Sequence, residues 1–131
     1  EITESIIMEH RDPVDEKLHA LRSLDVELLI DDFGTGYSSL NYLHQLPATG
    51  LKIDRSFVHQ MFREEGRSEI IGTIVYLARN LGLQVAAEGL ETEDELKHLR
   101  QMECHYGQGF YFARPMDHTR AAAMLEANPR W

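Results

Sequence analysis

Apolar positions change period several times along the chain. Over residues 15–24 they fall at Leu18, Leu21 and Leu24 with charges between, the spacing of a short amphipathic helix. Val26-Glu27-Leu28-Leu29-Ile30 is mostly apolar and predicts a buried strand, ended by Asp31-Asp32. Glycines punctuate Phe33-Gly34-Thr35-Gly36 as a loop. Residues 37–46 predict a helix with Ser38 and Ser39 as caps and Pro47 beyond. Leu51-Lys52-Ile53 reads as a strand after a turn at Thr49-Gly50. Residues 67–80 place Ile70, Ile71, Ile74 and Leu77 on one helix face, with Gly82 where a helix stop belongs. Residues 83–87 predict a strand ended by Glu88-Gly89. Residues 92–102 predict a helix with Thr92 as N-cap and Glu95 three positions on, a capping box. A strand region over 106–113 and a helix over 118–126 close the chain.

Strands alternating with helices predict an α/β fold with a parallel sheet, because each parallel crossover needs a helix. Parallel strands are covered on both faces, which accounts for the near-continuous apolar runs. In such folds the C-terminal strand ends share one rim. What ends each strand is therefore informative. Glu1 and Glu4 flank the first, Asp31 and Asp32 the second, Lys52 and Asp54 the third, Glu88 the fourth, and Gln108 lies in or beside the fifth. Taken singly, each reads as an ordinary turn, cap or solvated charge. Together they predict one acidic mouth containing a lysine.

The 131 residues amount to one ordinary domain by length, with 13 basic and 22 acidic residues and a net charge of −9. That balance argues against binding DNA, RNA or an anionic membrane surface through net charge. A phosphate-bearing ligand would need a divalent cation held by the surplus carboxylates. Adjacent Asp31 and Asp32 can serve two ions, with Asp31 the better bridge, and Glu1 and Glu88 can complete the wall. Lys52 among these acids should stay protonated and could hold water or a phosphate oxygen. The seven histidines are scattered without zinc-like spacing and read as surface or core residues. The lone Cys104 excludes an intramolecular disulfide and suits a reducing, cytoplasmic compartment. The acidic opening Glu1-Ile2-Thr3-Glu4 suggests a piece of a longer protein.

The motifs are recognisable together. Asp31-Asp32-Phe33-Gly34-Thr35-Gly36-Tyr37-Ser38-Ser39-Leu40 resembles the signature loop of EAL domains, bacterial cyclic-di-GMP phosphodiesterases. Glu1-Ile2-Thr3-Glu4-Ser5, Lys52-Ile53-Asp54-Arg55-Ser56-Phe57-Val58, Ala87-Glu88-Gly89-Leu90-Glu91-Thr92 and Gln108-Gly109-Phe110-Tyr111-Phe112-Ala113-Arg114-Pro115-Met116 resemble the family's other motifs, in family order. The resemblance implies the C-terminal half of a TIM-like (β/α)₈ barrel with one strand reversed, two Mg²⁺ or Mn²⁺ ions, and hydrolysis of cyclic-di-GMP to linear pGpG.

Carried over by position, Glu1, Asp31, Asp32 and Glu88 match metal ligands, Asp31 being the bridge. Lys52 matches the lysine that holds the catalytic water, and Gln108 a glutamine supporting the site. Glu4 matches the glutamate anchoring the loop of Phe33, Gly34, Thr35, Gly36 and Tyr37. Asp54, Arg114 and Pro115 match positions expected to bind substrate. The resemblance further implies a homodimer, and GGDEF or sensory domains in a parent chain that could be tethered to the inner membrane. The front half of the family's pattern, with its Glu-Ala-Leu motif, has no counterpart here. Residues 1–131 are thus expected to be a partial domain, with little activity alone. Two alternatives stand beside this reading: a degenerate EAL domain acting as a cyclic-di-GMP receptor or interaction module, and a receiver-like domain that uses the Asp31-Asp32 pair and Mg²⁺ to accept a phosphoryl group.

Overall fold

The computed structural model describes residues 1–9, 11–36 and 40–131. In chain order the elements are β1 (Ile2–Thr3), α1 (Glu4–Glu9), α2 (Arg11–Arg22), β2 (Leu29–Phe33), α3 (Leu40–Gln45), β3 (Gly50–Ile53), α4 (Arg55–Gln60), α5 (Arg67–Asn80), β4 (Gln84–Glu88), α6 (Glu93–Gln101), β5 (Tyr106–Gln108) and α7 (His118–Ala127). The strands form one sheet in sequence order, and all four pairings are parallel. A sheet wound in sequence order, with helices between its strands, is an arc of a (β/α) barrel. The family's reversed strand is not among β1 to β5.

Side-chain alternation gives the sheet two unlike faces. Ile30, Leu51, Ile53, Val85 and Ala87 lie on one face and are at most 2% exposed. They join Phe57, Val58, Ile71, Ile74, Val75, Leu96 and Leu99 of the helices in a single core. Burying each large aliphatic side chain contributes about 1.5–3 kcal/mol. The opposite face carries, among others, Asp31, Lys52, Ala86, Glu88, Tyr106 and Gln108. β1 and β5 are the sheet's edges, and no residue of α7 is buried.

The second strand departs from expectation. It runs over Leu29–Phe33 rather than 26–30, so Asp31 and Asp32 lie inside it. Its ladder begins late because Leu28 is held at the β3 turn: the Leu28 N–H donates to Thr49 Oγ1 at 3.0 Å, and the Thr49 N–H to Leu28 O at 2.8 Å. It ends late because a bulge lies between the pairs Ile30–Leu51 and Phe33–Ile53. One extra residue fits on the β2 side, and Asp32 takes φ 55°. Aspartate tolerates this left-handed region better than most residues.

Other boundaries shift for similar reasons. The helix expected over 15–24 is α2, which stops at Arg22; the chain turns at Asp25 (φ 58°), leaving Leu24 exposed. Helices α1 and α4 are additional to those expected. The helix expected over 37–46 is described as α3, with Tyr37, Ser38 and Ser39 outside the described residues. The strand region over 106–113 ends at Gln108. At Gly109 the backbone crosses Leu90 so closely that a Cβ would stand 2.1 Å from Leu90 O, and the Tyr111 N–H donates to Leu90 O. Contact with Leu90 bends the chain out of the sheet there, and only glycine fits.

Helix α5 runs over Arg67–Asn80, but its buried face is Ile71, Ile74, Val75 and Ala78, one step round from the expected one, with Leu77 half-buried and Ile70 exposed; Gly82 (φ 71°) follows its end. Helix α6 starts at the foreseen capping box: Thr92 Oγ1 accepts from the Glu95 N–H, and Glu95 Oε2 accepts from the Thr92 N–H at 2.9 Å. Thr92→Ala is expected to cost about 1 kcal/mol. Urea denaturation should show the loss as a lower midpoint with an unchanged slope.

Candidate functional site

Lys52 stands near the C-terminal end of β3, on the sheet face away from the core. Its side chain is only 8% exposed, and three carboxylates converge on its ammonium. Nζ lies 3.0 Å from Glu1 Oε1, 3.1 Å from Asp31 Oδ1 and 2.5 Å from Glu88 Oε1. The register explains the meeting. Asp31 follows Ile30, which faces Leu51, while Lys52 faces Ala86, two residues before Glu88 on the same face. Residues widely separated in sequence therefore form one cluster at one rim.

Burial alone would pull the Lys52 pKa down. Hydrogen bonds to Glu88, Glu1 and Asp31 outweigh that and push it above the ordinary lysine range. Lys52 is thus an ammonium at any physiological pH, a donor of hydrogen bonds and not a base.

Asp32 sits beside the cluster. In a regular strand it would face away from Asp31; the bulge breaks that alternation. Its carbonyl accepts from the Thr35 N–H and hydroxyl, and its own N–H donates to Asp31 Oδ1 at 3.1 Å. No ion pair joins Asp32 to Lys52 among the described residues. Glu4, 2% exposed, accepts from the Gly34 N–H at 3.0 Å, tying the glycine loop to the start of α1. Gln108 is paired in register with Glu88, on the same face.

Three expected site residues lie elsewhere or are engaged otherwise. Asp54 caps α4, its Oδ1 accepting from the Ser56 N–H at 2.9 Å and the Ser56 hydroxyl at 2.5 Å. Its pKa is lowered: burial opposes this, but the bonds from Ser56 prevail. Arg114 lies over the Phe110 ring, 4.5 Å from its centroid, and with Pro115 lines a cleft of about 980 Å³ between β5 and Trp131. No described contact brings Arg114 or Pro115 to Lys52. Three of the histidines, unremarkable by sequence spacing, acquire partners. His59 meets the Gly89 carbonyl, His98 meets Ser68, and His105 Nδ1 accepts from the Val85 N–H. Sequence spacing carries no signal for these contacts, which cross between separate elements.

Carboxylate oxygens gathered within 3.1 Å of one nitrogen suit a hard divalent cation in donor type. Among the described residues no three carboxylate, imidazole or thiol groups close on a common point as a metal shell would. The carboxylates close on the ammonium instead, so a cation would sit beside Lys52.

The model of the family described as "EAL domain" matches residues 1–115. The chain belongs to the EAL domain family. It is 46% identical over 127 residues to the cyclic di-GMP phosphodiesterase NbdA of Pseudomonas aeruginosa, covering 97% of this chain and 16% of that protein. It is 45% identical over 116 residues to the bifunctional diguanylate cyclase/cyclic di-GMP phosphodiesterase MucR of the same species, covering 88% of this chain and 17% of that one. The chain thus spans less than a fifth of the length of either curated relative.

Among solved EAL structures, the c-di-GMP complex of PaMucR phosphodiesterase superposes with a TM-score of 0.88 at 42% identity, over 92% of this chain and 49% of that one. The EAL domain of Mycobacterium smegmatis DcpA gives 0.89 at 37% identity, over 99% and 58%. The manganese/cy-diGMP complex of Klebsiella pneumoniae BlrP1 gives 0.78 at 34% identity, over 86% and 29%. The sheet is therefore part of a TIM-like EAL barrel. No helix among the described residues is long and apolar enough to cross a membrane.

Proposed function

We propose that these residues are the second half of the EAL domain of a cyclic-di-GMP phosphodiesterase, one that opens the cyclic dinucleotide to linear pGpG. The convergence of Glu1, Asp31 and Glu88 on Lys52 carries the reading. Glu1, Asp31, Asp32 and Glu88 would hold two Mg²⁺ or Mn²⁺ ions. Bound there, the ions would supply Lewis-acid stabilisation of the charge that builds on phosphorus. Lys52 holds the attacking water or a phosphate oxygen by hydrogen bonding, since its raised pKa keeps all three protons in place. As the water oxygen bonds to phosphorus the bond from phosphorus to one ribose oxygen breaks, and the proton lost by water ends on that departing oxygen, with Glu88 held beside Lys52 at 2.5 Å. Gln108, beside Glu88, supports it, and Glu4 steadies the loop after Asp32.

The rest of the barrel comes from residues beyond these 131, and cyclic-di-GMP, a second copy and GGDEF or sensory domains are the partners of the whole protein. Incubating that protein with cyclic-di-GMP and resolving the products by chromatography tests the reading. The expected result is conversion to pGpG in Mg²⁺ or Mn²⁺, none in excess EDTA, and little with the 131-residue chain alone. Tight binding without turnover would instead favour a receptor.

A further inference from the structure

Past Ile53 and Ala87 the β3–β4 ladder stops, so Glu88 stands one residue beyond the last pair on that side. The backbone then turns through Gly89 at φ 77°. Helix α4 lies directly against this turn. A Cβ on Gly89 would stand 2.6 Å from Arg55 Cβ and 3.1 Å from His59 Nε2. Arg55 and His59 are four residues apart and share one helix face. His59 Nε2 lies 3.0 Å from the Gly89 carbonyl oxygen. A carbonyl only accepts, so Nε2 carries the hydrogen and donates it. Glu91 Oε1, 3.8 Å from the same nitrogen, flanks the contact.

The other end of α4 is tied to the lysine side of the cluster. Asp54, its N-cap, is two residues after Lys52. Lys52 and Glu88 are therefore joined twice: directly, and by a path through Asp54, α4, His59 and Gly89. We infer that His59 is a positioning residue, holding the Gly89 turn so that Glu88 reaches Lys52 at the required distance. The inference deepens the phosphodiesterase reading and rests on it for its catalytic consequence, though not for its geometry.

Two variants and two readouts test it. Glutamine places an amide N–H near the position of Nε2; alanine does not. In the full-length protein, His59→Ala is expected to lower kcat about tenfold with KM within about twofold, because small misplacements of reacting groups cost rate more than binding. His59→Gln should recover most of the loss. In the 131-residue chain, the Lys52 ammonium signal in nitrogen-correlated NMR spectra reports its pairing without any turnover. That signal should broaden or vanish in His59→Ala and persist in His59→Gln. An unchanged signal in the alanine variant, or equal losses in both variants, would overturn the role of His59. Absence of hydrolysis by the unaltered protein would defeat the phosphodiesterase reading alone, with the Lys52 signal still deciding on His59.

Discussion

Replacing Lys52 with methionine is expected to destabilise the chain by about 2–3 kcal/mol in EDTA and to reduce turnover by the full-length protein about 10²–10³-fold. Methionine keeps most of the side-chain volume, so the loss is electrostatic rather than a cavity. Glu1, Asp31 and Glu88 would face one another with their counter-charge gone. Asp31 and Glu88 retain about a fifth of their exposure and Glu1 more than half, which keeps the cost below that of a fully buried pair. Millimolar Mg²⁺ should restore part of the stability, because a cation replaces the ammonium. Thermal melts with and without Mg²⁺ check this, and equal midpoints for both proteins in EDTA would count against it.

The pH dependence has a definite sign. Lys52 is raised above its unfolded value, so its contribution is complete below the ordinary lysine range and is lost progressively as pH rises from that range through the raised one. The stability difference between the unaltered chain and the Lys52→Met variant should therefore stay flat between about pH 7 and 9.

Asp31→Asn is expected to remove at least about 10³-fold of the turnover of the full-length protein, beyond the roughly 10–100-fold typical of losing an outer-sphere partner of a metal. Asparagine preserves shape but not charge, and a neutral amide would be a poorer ligand for a hard cation. Stability should change by no more than about 1 kcal/mol, since Lys52 keeps Glu1 and Glu88. The pairing of a large kinetic effect with a small thermal one separates a functional role from a structural one. Near-normal hydrolysis in Mg²⁺ would remove Asp31 from the site.

The two predictions draw on features that differ in how far the chain's letters reveal them. The span of α5 and the capping box at Thr92 and Glu95 were legible because helix periodicity and N-capping are local, each decided within a few residues, whereas which face of α5 is buried was set by what packs on it, leaving Ile70 exposed and Val75 and Ala78 covered. The assignment of acids and a lysine to one rim was legible too, because parallel strands joined by helices all point the same way. Tertiary contacts decided the rest. The bulge that carries Asp31 and Asp32 into the strand exists because β3 supplies Ile53 as a partner for Phe33. The last strand stops at Gln108 because Leu90, far back in the chain, leaves no room for a Cβ at Gly109. His59 acquires a partner in Gly89 only once α4 packs beside the β4 turn. Periodicity and capping are properties of neighbours in sequence, whereas register, bulges and cross-element hydrogen bonds depend on which distant backbone arrives alongside.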